Sequence, residues 1–369
     1  MNLRAKFLNH VKSGGPPVCS PQIGAGAGFD TKLAGKDNVH ETTLEDTLAA
    51  VGKFDIVPLI NAGLCDLSAC NPALAWKLVS HEIDGEGRTH TTVALPTPAG
   101  ELTTRSISDK RGGCRIKAPI ETPDELDALE YYIDTALDGD FSAATRSTEH
   151  IVGLVGDRGA VSIQWAVQPY ELLCFPSTVD TALIAHDCPD RAKSLMDKIL
   201  LLDDKLFEAV AKGGADFIFL GGPGAEMISP RYYQEFIVPY SREATAMAHS
   251  RGLLVYSHIC SPIEPFLTMG YYNQMGIDLF ETLSPPPVGN VASLKDAMDK
   301  LDPAICTRGN LGLDVLLNAS PEDVREKTFE IIEATAGRKH MVGASDYLFF
   351  EVPEENVQAM AAAVKEYNK

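Results

Sequence analysis

The chain has 369 residues, of which 45% are hydrophobic and 22% are charged, and its formal net charge is −19 at pH 7. This composition is typical of a globular enzyme, and the length allows one large α/β domain or two ordinary domains. The acidic excess repels phosphate backbones, so nucleic acid is excluded as an expected partner.

The eight cysteines are scattered and form no CxxC pair, which predicts reduced thiols in the cytoplasm rather than a disulfide framework. Residues 1–15 contain no apolar core long enough for a signal peptide. No run approaches the roughly 20 apolar residues that a membrane span needs. We therefore expect a cytoplasmic protein without a membrane partner.

Short β-rich apolar runs alternate with helical stretches along the chain. The eight runs cover residues 17–25, 54–62, 160–167, 215–222, 253–260, 277–283, 304–310 and 339–345. Helices are predicted between them, for example over 191–214, where apolar residues recur at helical spacing before two glycines. Two further helices are predicted to begin at Ser-Pro and to end at glycine, over 229–252 and 320–337.

This alternation predicts parallel strand pairing, and eight such units predict a single (β/α)8 barrel over residues 1–369. The alternative is an open, doubly wound sheet. However, no GxGxxG sequence enters a helix with an acidic residue about 20 positions later. The glycine-rich residues 24–30 are predicted to form a flexible loop over the mouth of the barrel.

One segment breaks the alternation after the second strand. Residues 88–107 contain two strand-like stretches around Pro98, Ala99 and Gly100, which is a hairpin signal. We predict a small β-hairpin insertion over residues 84–113, within the barrel domain rather than as a separate domain.

The fifth run ends in His258 and Cys260, which point the same way if the strand is extended. Their backbone positions would lie about 6–7 Å apart, so an imidazole nitrogen and a sulfur can reach one metal ion. Ordinary packing is the alternative interpretation of such a pair. The predicted barrel favours the metal site, because barrel enzymes carry their chemistry at the carboxyl ends of the strands.

Polar side chains stand at the ends of the other strands as well. Glu281 and Asn310 close the sixth and seventh strands and are the predicted catalytic residues. The predicted substrate-binding residues, which lie at or after the ends of other strands, are Gln22, Asn61, Gln164, Tyr170, Arg308 and Asp346. Packing and loop hydrogen bonds are the alternative for Gln22, Gln164 and Tyr170, and a salt bridge at the barrel rim is the alternative for Arg308.

Several motifs resemble the uroporphyrinogen decarboxylase superfamily, which includes cobalamin-dependent methyltransferases. They are SPRYYQEFIVPY (229–240), RGNLGLDVLL (308–317) and PEENVQAM (353–360), and TPAGELTTR (97–105) is similar to an accessory hairpin on the methyltransferase side. Each motif is loose alone, but their order and spacing together are specific. The resemblance covers most of the chain and implies a (β/α)8 barrel.

For the thiol-directed methyltransferases, the resemblance implies a zinc ion held by a His-x-Cys pair and by a cysteine on the closing strand. His258 and Cys260 match the pair, whereas Ala344 stands in place of that cysteine. We expect Glu281 to complete or tune the site as a third ligand. Asp346 and Cys306 are the alternatives, and Cys306 is the less expected because a buried cysteine commonly serves as a small hydrophobe.

The expected function is methyl transfer between a corrinoid, supplied by a partner protein, and a small acceptor such as a thiol or tetrahydrofolate. The alternative is uroporphyrinogen decarboxylation in porphyrin biosynthesis, which needs several cations for a substrate with eight carboxylates. Arg308 is the only obvious cation in the predicted cleft. A third alternative is a non-catalytic barrel that binds a small molecule. A homodimer is left open.

Overall fold

The computed structural model describes residues 1–164, 169–172 and 178–369. Eight parallel strands form one sheet, and each overlaps one of the eight apolar runs: β1 (Val18–Cys19), β2 (Leu59–Gly63), β7 (Ala160–Gln164), β8 (Phe217–Leu220), β9 (Leu254–His258), β10 (Leu279–Thr282), β11 (Cys306–Leu311) and β12 (His340–Ala344). Their order in the sheet is β1, β12, β11, β10, β9, β8, β7, β2. A hydrogen bond of 2.8 Å from Val57 N to Cys19 O links the segment that leads into β2 to β1, at the other end of the strand order. The predicted (β/α)8 fold is confirmed.

Helices surround the sheet: α1 (Leu3–Ser13), α2 (Phe29–Leu33), α3 (Leu44–Val51), α4 (Leu126–Leu137), α5 (Ser142–Val155), α6 (Thr178–Asp187), α7 (Pro189–Lys212), α8 (Pro230–Tyr232), α9 (Val238–Ser250), α10 (Glu264–Thr268), α11 (Leu294–Lys300), α12 (Leu313–Asn318), α13 (Pro321–Ala334) and α14 (Glu354–Tyr367). A π-helical turn links α8 to α9. The predicted Ser-Pro starts are confirmed, because Ser229 and Ser320 each accept a hydrogen bond from a backbone N–H of the first turn. Within the described residues, no helix combines the length and apolarity needed to cross a membrane.

The amino-terminal end of the barrel is filled by apolar side chains. Each strand contributes one buried residue to this layer: Val18, Leu59, Ala160, Phe217, Tyr256, Leu279, Cys306 and Met341. Helix α1 covers the layer with Phe7, whose ring centroid lies 5.8 Å from that of Phe217 in an edge-on arrangement. Because this end is closed by packed apolar groups, the polar residues of the barrel interior are confined to its carboxyl end.

A second sheet projects from the connection between β2 and α4. It is antiparallel and contains β3 (Lys77–Ile83), β4 (Thr89–Thr97), β5 (Gly100–Asp109) and β6 (Gly112–Lys117), in that order. Leu95 and Leu102 face each other across β4 and β5 and are buried in the main core, where the sheet contacts α4.

The predicted hairpin corresponds to β4 and β5, which turn at Pro98 and Ala99. The insertion is larger than residues 84–113, because β3 and β6 add a strand on each side of the hairpin. Both strands are hard to predict from the sequence. The alternation of β3 is interrupted by a bulge at Val79, and β6 begins with two glycines, which are unfavourable in strands.

The environment of one buried histidine predicts that acid destabilises the fold. His340 accepts a hydrogen bond at Nδ1 from Thr307 Oγ1 (2.8 Å) and donates from Nε2 to Gly309 O (2.8 Å). Burial lowers the pKa of His340 to about 3, whereas the ordinary value is about 6.5. Below pH 6.5 the unfolded chain therefore binds a proton that the folded chain does not.

For this reason the free energy of unfolding should decrease as the pH is lowered, by about 2 kcal/mol from pH 7 to pH 5. His340→Gln should remove this part of the pH dependence, and His150→Gln, at an exposed position of α5, should retain it. Urea denaturation at both pH values measures the effect. Equal pH dependence in His340→Gln and in the unmodified protein would contradict the assignment.

Candidate functional site

The imidazole of His258 lies between two carboxylates at the carboxyl end of the barrel. Its Nδ1 is 2.8 Å from Oε1 of Glu281, and its Nε2 is 3.3 Å from Oδ1 of Asp346. The thiol of Cys260 lies on the same side as Asp346. The ligand atoms of His258, Cys260 and Asp346 are all within 4.8 Å of one another.

Local structure explains why these three residues meet. His258 ends β9 and points into the barrel, and Cys260 follows two residues later in the same direction. Asp346 comes from the loop after β12, two residues after Ala344. Its Oδ1 accepts a hydrogen bond of 2.7 Å from the backbone N–H of Tyr347, which holds the carboxylate toward His258.

Glu281 lies on the opposite side of the imidazole and is completely buried. Its Oε1 accepts hydrogen bonds from Tyr256 Oη (2.5 Å) and from His258, and its Oε2 accepts from Arg308 Nε and from Gln22 Nε2 (3.2 Å). Burial alone would raise the pKa of Glu281, but Arg308 and His258 hold it at about 2. The carboxylate is therefore ionised and fixed by four side chains.

The same contacts control the charge of His258. Burial alone would lower its pKa, but hydrogen bonds with Asp346, Cys260 and Glu281 raise it well above the ordinary value. Because Glu281 is bonded to Nδ1, Nε2 is the nitrogen directed toward Cys260 and Asp346. A metal ion at Nε2 would compete with a proton for that atom.

The side chain of Arg308 passes close to Gly343 on its way to Glu281, where a larger residue would crowd it. Its side chain is only 1% exposed, and its guanidinium lies 5.6 Å from the ring centroid of Tyr256. A Cβ atom at Gly343 would lie 2.8 Å from Ser20 O and 3.3 Å from Arg308 Cγ. Glycine at this position therefore allows the arginine to occupy the barrel interior.

The structure brings several predicted residues into one network. Gln22 donates to Glu281, and its amide also bonds the backbone of Ala344 in both directions (3.2 and 3.0 Å). Asn61 donates to Tyr347 Oη (3.1 Å), which lies 3.3 Å from Tyr256 Oη. The ring of Tyr347 also lies beside the imidazole of His258, with 5.4 Å between centroids. Sequence reasoning missed Tyr347, although its place directly after Asp346 was a usable signal.

Three further candidate residues lie outside the group formed by His258, Cys260 and Asp346. Glu281 contacts the far nitrogen of His258 and lies outside the group of three ligand atoms, in which Asp346 is the third member. Arg308 was predicted to bind substrate, but it is enclosed with Glu281. Cys306 lies in the apolar layer at the opposite end, where burial raises the pKa of its thiol to about 12.

The remaining predicted residues lie outside this network. Asn310 donates to Leu283 O (3.1 Å), and Tyr170 is buried and donates to Gly221 O (2.7 Å). Gln164 is exposed at the end of β7, and residues 165–168 after it are outside the described part of the chain. The burial of Tyr170 in the hydrophobic core agrees with packing, the alternative interpretation of this residue.

Comparison with known proteins agrees with this architecture. The family model described as "Uroporphyrinogen decarboxylase (URO-D)" matches residues 103–367. The chain belongs to the uroporphyrinogen decarboxylase family. A uroporphyrinogen decarboxylase of Geobacter metallireducens is 24% identical over 281 residues, which is 73% of each chain.

The family also contains relatives with another named activity. A methylcobamide:CoM methyltransferase of Methanosarcina acetivorans is 24% identical over 163 residues, covering 43% of this chain and 44% of the relative. A solved structure described as a methyltransferase from Methanosarcina mazei superposes over 100% of both chains with a TM-score of 0.68 and 15% identity. At 15% identity, this structural similarity shows a shared fold and carries no conclusion about activity.

The Glu281–Arg308 pair predicts a strong energetic coupling. Arg308→Met should lower the free energy of unfolding by about 3–5 kcal/mol, because it leaves the buried carboxylate without its cation. The double variant Arg308→Met/Glu281→Gln should recover a large part of that loss, since no unpaired charge remains. Urea denaturation of the single and double variants measures the coupling.

Arg325→Met is the matched control, because Arg325 pairs with Glu366 on the exposed surface of α13 and α14 and should matter little. Equal destabilisation of the Arg308→Met and double variants would show that the two side chains are not coupled.

Proposed function

We propose that this chain is a zinc-dependent methyltransferase that moves a methyl group between a corrinoid carried by a separate protein and a small acceptor such as a thiol or tetrahydrofolate. The observation that carries the proposal is the group formed by His258, Cys260 and Asp346. One nitrogen, one sulfur and one oxygen converge there, and an ionised carboxylate supports the imidazole from behind.

The three ligand atoms suit zinc in both chemistry and spacing. Zinc in proteins prefers imidazole, thiolate and carboxylate ligands in a tetrahedral arrangement, and catalytic sites keep one position open. Bonds of about 2.0–2.1 Å imply ligand atoms about 3.3 Å apart, and His258 Nε2 and Asp346 Oδ1 are 3.3 Å apart. His258, Cys260 and Asp346 would therefore hold the ion without a large movement.

The other residues of the site would position these ligands. Glu281 holds the far nitrogen of His258, an arrangement that fixes the ring orientation and tautomer of a metal-binding histidine. Tyr347 orients Asp346 through its backbone N–H and packs against the imidazole. Arg308 keeps Glu281 ionised, so the orienting hydrogen bond persists at neutral pH.

A bound zinc ion would lower the pKa of a thiol or other acid at its open position and so supply a nucleophile near neutral pH. Of this chain's own residues, Glu281 would hold the imidazole of His258 at Nδ1. Methyl transfer needs a nucleophile of controlled charge and few fixed cations, which matches the composition of the site.

Decarboxylation is the second candidate, since relatives that cover 73% and 68% of this chain are named uroporphyrinogen decarboxylases. A substrate with eight carboxylates requires several cations, because an unpaired buried carboxylate is strongly unfavourable. Among the described residues, Arg308 is the one arginine or lysine hydrogen-bonded within the site, and Glu281 already neutralises it. This charge balance favours methyl transfer.

Zinc content tests the ligand set. Cys260→Ser and Asp346→Asn should each lose most of the bound zinc, because a hydroxyl or an amide is a much poorer ligand than a thiolate or carboxylate. Cys114→Ser, at an exposed position of β6, and Cys306→Ala should retain it. Elemental analysis of dialysed protein gives the result, and unchanged zinc in Cys260→Ser would rule out the site.

The activity is tested with methylcobalamin, or a methylated corrinoid protein, and a panel of thiols and tetrahydrofolate. We expect a loss of the methyl–cobalt absorbance that Cys260→Ser and His258→Gln reduce by at least about 100-fold, since each removes a proposed ligand. Turnover of uroporphyrinogen without corrinoid activity would overturn the proposal in favour of the decarboxylase.

A further inference from the structure

The insertion sheet contacts the barrel domain through the turn between β5 and β6. This turn consists of Lys110 and Arg111, which lie between the end of β5 and the start of β6. Val39 N donates a hydrogen bond of 3.0 Å to Lys110 O, and His40 Nε2 donates one of 2.9 Å to Asp109 O. The β5–β6 turn is therefore bound to the segment that follows α2.

Arg111 connects this turn to the Asp346 loop, which we define as residues 345–352. Its guanidinium donates to the backbone oxygen and to Oδ1 of Asp37, at 2.7 and 2.8 Å. The same guanidinium lies over the ring of Phe350, with 3.6 Å between its carbon and the ring centroid. Such stacking combines a cation–π attraction with contact between two flat groups. Because Asp37 fixes the plane of the guanidinium, the ring of Phe350 is held in one place.

The barrel holds the same loop from its other side. Leu348 N donates a hydrogen bond of 2.9 Å to Gln22 O, and Phe349 forms an antiparallel bridge with Gly28. A Cβ atom at Gly28 would lie 3.1 Å from Phe350 Cβ, so the glycine allows the loop to lie against this segment. The Asp346 loop is thus fixed between the barrel and the insertion sheet.

The position of this loop determines where the carboxylate of Asp346 lies. Asp346 and Tyr347 are four and three residues before Phe350, and Tyr347 N–H donates to Asp346 Oδ1. That oxygen is 3.3 Å from His258 Nε2. Metal ligands have to be held within about 0.5 Å of the productive geometry, and ligands on loops are placed less accurately than ligands on strands. A contact that fixes the loop therefore also fixes the ligand.

We propose that Arg111 is a positioning residue of the barrel site. By holding Phe350 it keeps Asp346 beside His258, so the insertion sheet supports the site from outside the barrel. The role of Asp346 as a ligand rests on the proposed function. The effect of Arg111 on the order of the Asp346 loop is independent of the metal and can be measured without it.

Hydrogen–deuterium exchange of the metal-free protein measures the order of the loop. Arg111→Gln should speed the exchange of the backbone amides of residues 347–352 by about five- to thirtyfold, because the stacking on Phe350 is lost. Lys110→Gln is the matched control and should leave the exchange unchanged. Lys110 Nζ also binds Asp37, at 2.7 Å, but the stacked cation is Arg111.

Zinc affinity, measured by competition with a chromogenic chelator, tests whether the loop positions the ligand. Arg111→Gln and Phe350→Leu should each raise the zinc dissociation constant at least about threefold. The double variant should bind zinc as well as the single variants, because both changes remove the same contact. Arg111→Lys should recover part of the affinity, since it keeps a cation beside the ring, and Lys110→Gln should match the unmodified protein.

The outcomes separate this proposal from the proposed function. Unchanged exchange in Arg111→Gln, equally fast exchange in Lys110→Gln, or fast exchange with unchanged zinc affinity would each overturn the positioning role. Additive losses of zinc affinity in the double variant would also overturn it. If the unmodified protein binds no zinc, the proposed function fails, and the exchange rates still decide whether Arg111 holds the loop.

Discussion

The ion pair between Glu281 and Arg308 is the interaction on which the barrel site depends. Both side chains are almost completely removed from water, and burying either alone would cost several kcal/mol. Together they place a fixed negative charge beside Nδ1 of His258. Tyr256 and Gln22 bond the remaining lone pairs of the carboxylate, so the charge is held in one position and the imidazole with it.

The barrel architecture gives this pair its location. Apolar side chains and helix α1 fill the amino-terminal end, so the polar residues of adjacent strands meet only at the carboxyl end. Strand alternation places Tyr256 below His258 and Leu279 below Glu281. Gly343 leaves the room that Arg308 requires. The same strands thus provide a packed core at one level and an ionised network at the next.

Membership of the family does not decide between decarboxylation and methyl transfer, so the choice depends on the side chains of the site. The family contains relatives named for decarboxylation and for methyl transfer, and one barrel accommodates both. The difference lies in charge, because an octacarboxylate needs unpaired cations and methyl transfer needs a controlled nucleophile. In the described part of this site, Glu281 neutralises Arg308, and His258, Cys260 and Asp346 offer three atoms that could bind a metal ion.

The sequence by itself determined the repeating order of strands and helices, the carboxyl-end location of His258 and Cys260, and the β4–β5 turn, because these depend on local periodicity and nearby turn residues. The bulge at Val79, and with it the full insertion sheet, depends on pairing with β4 and was not predictable. Only the tertiary structure decided that Arg308 binds Glu281, that Asp346 rather than Glu281 lies with His258 and Cys260 in a group that could hold a metal ion, and that Tyr347 lies against His258. Arg308 and Glu281 are 27 residues apart in the chain. Such contacts depend on which side chains share a barrel layer, a relation between distant segments that no local pattern records.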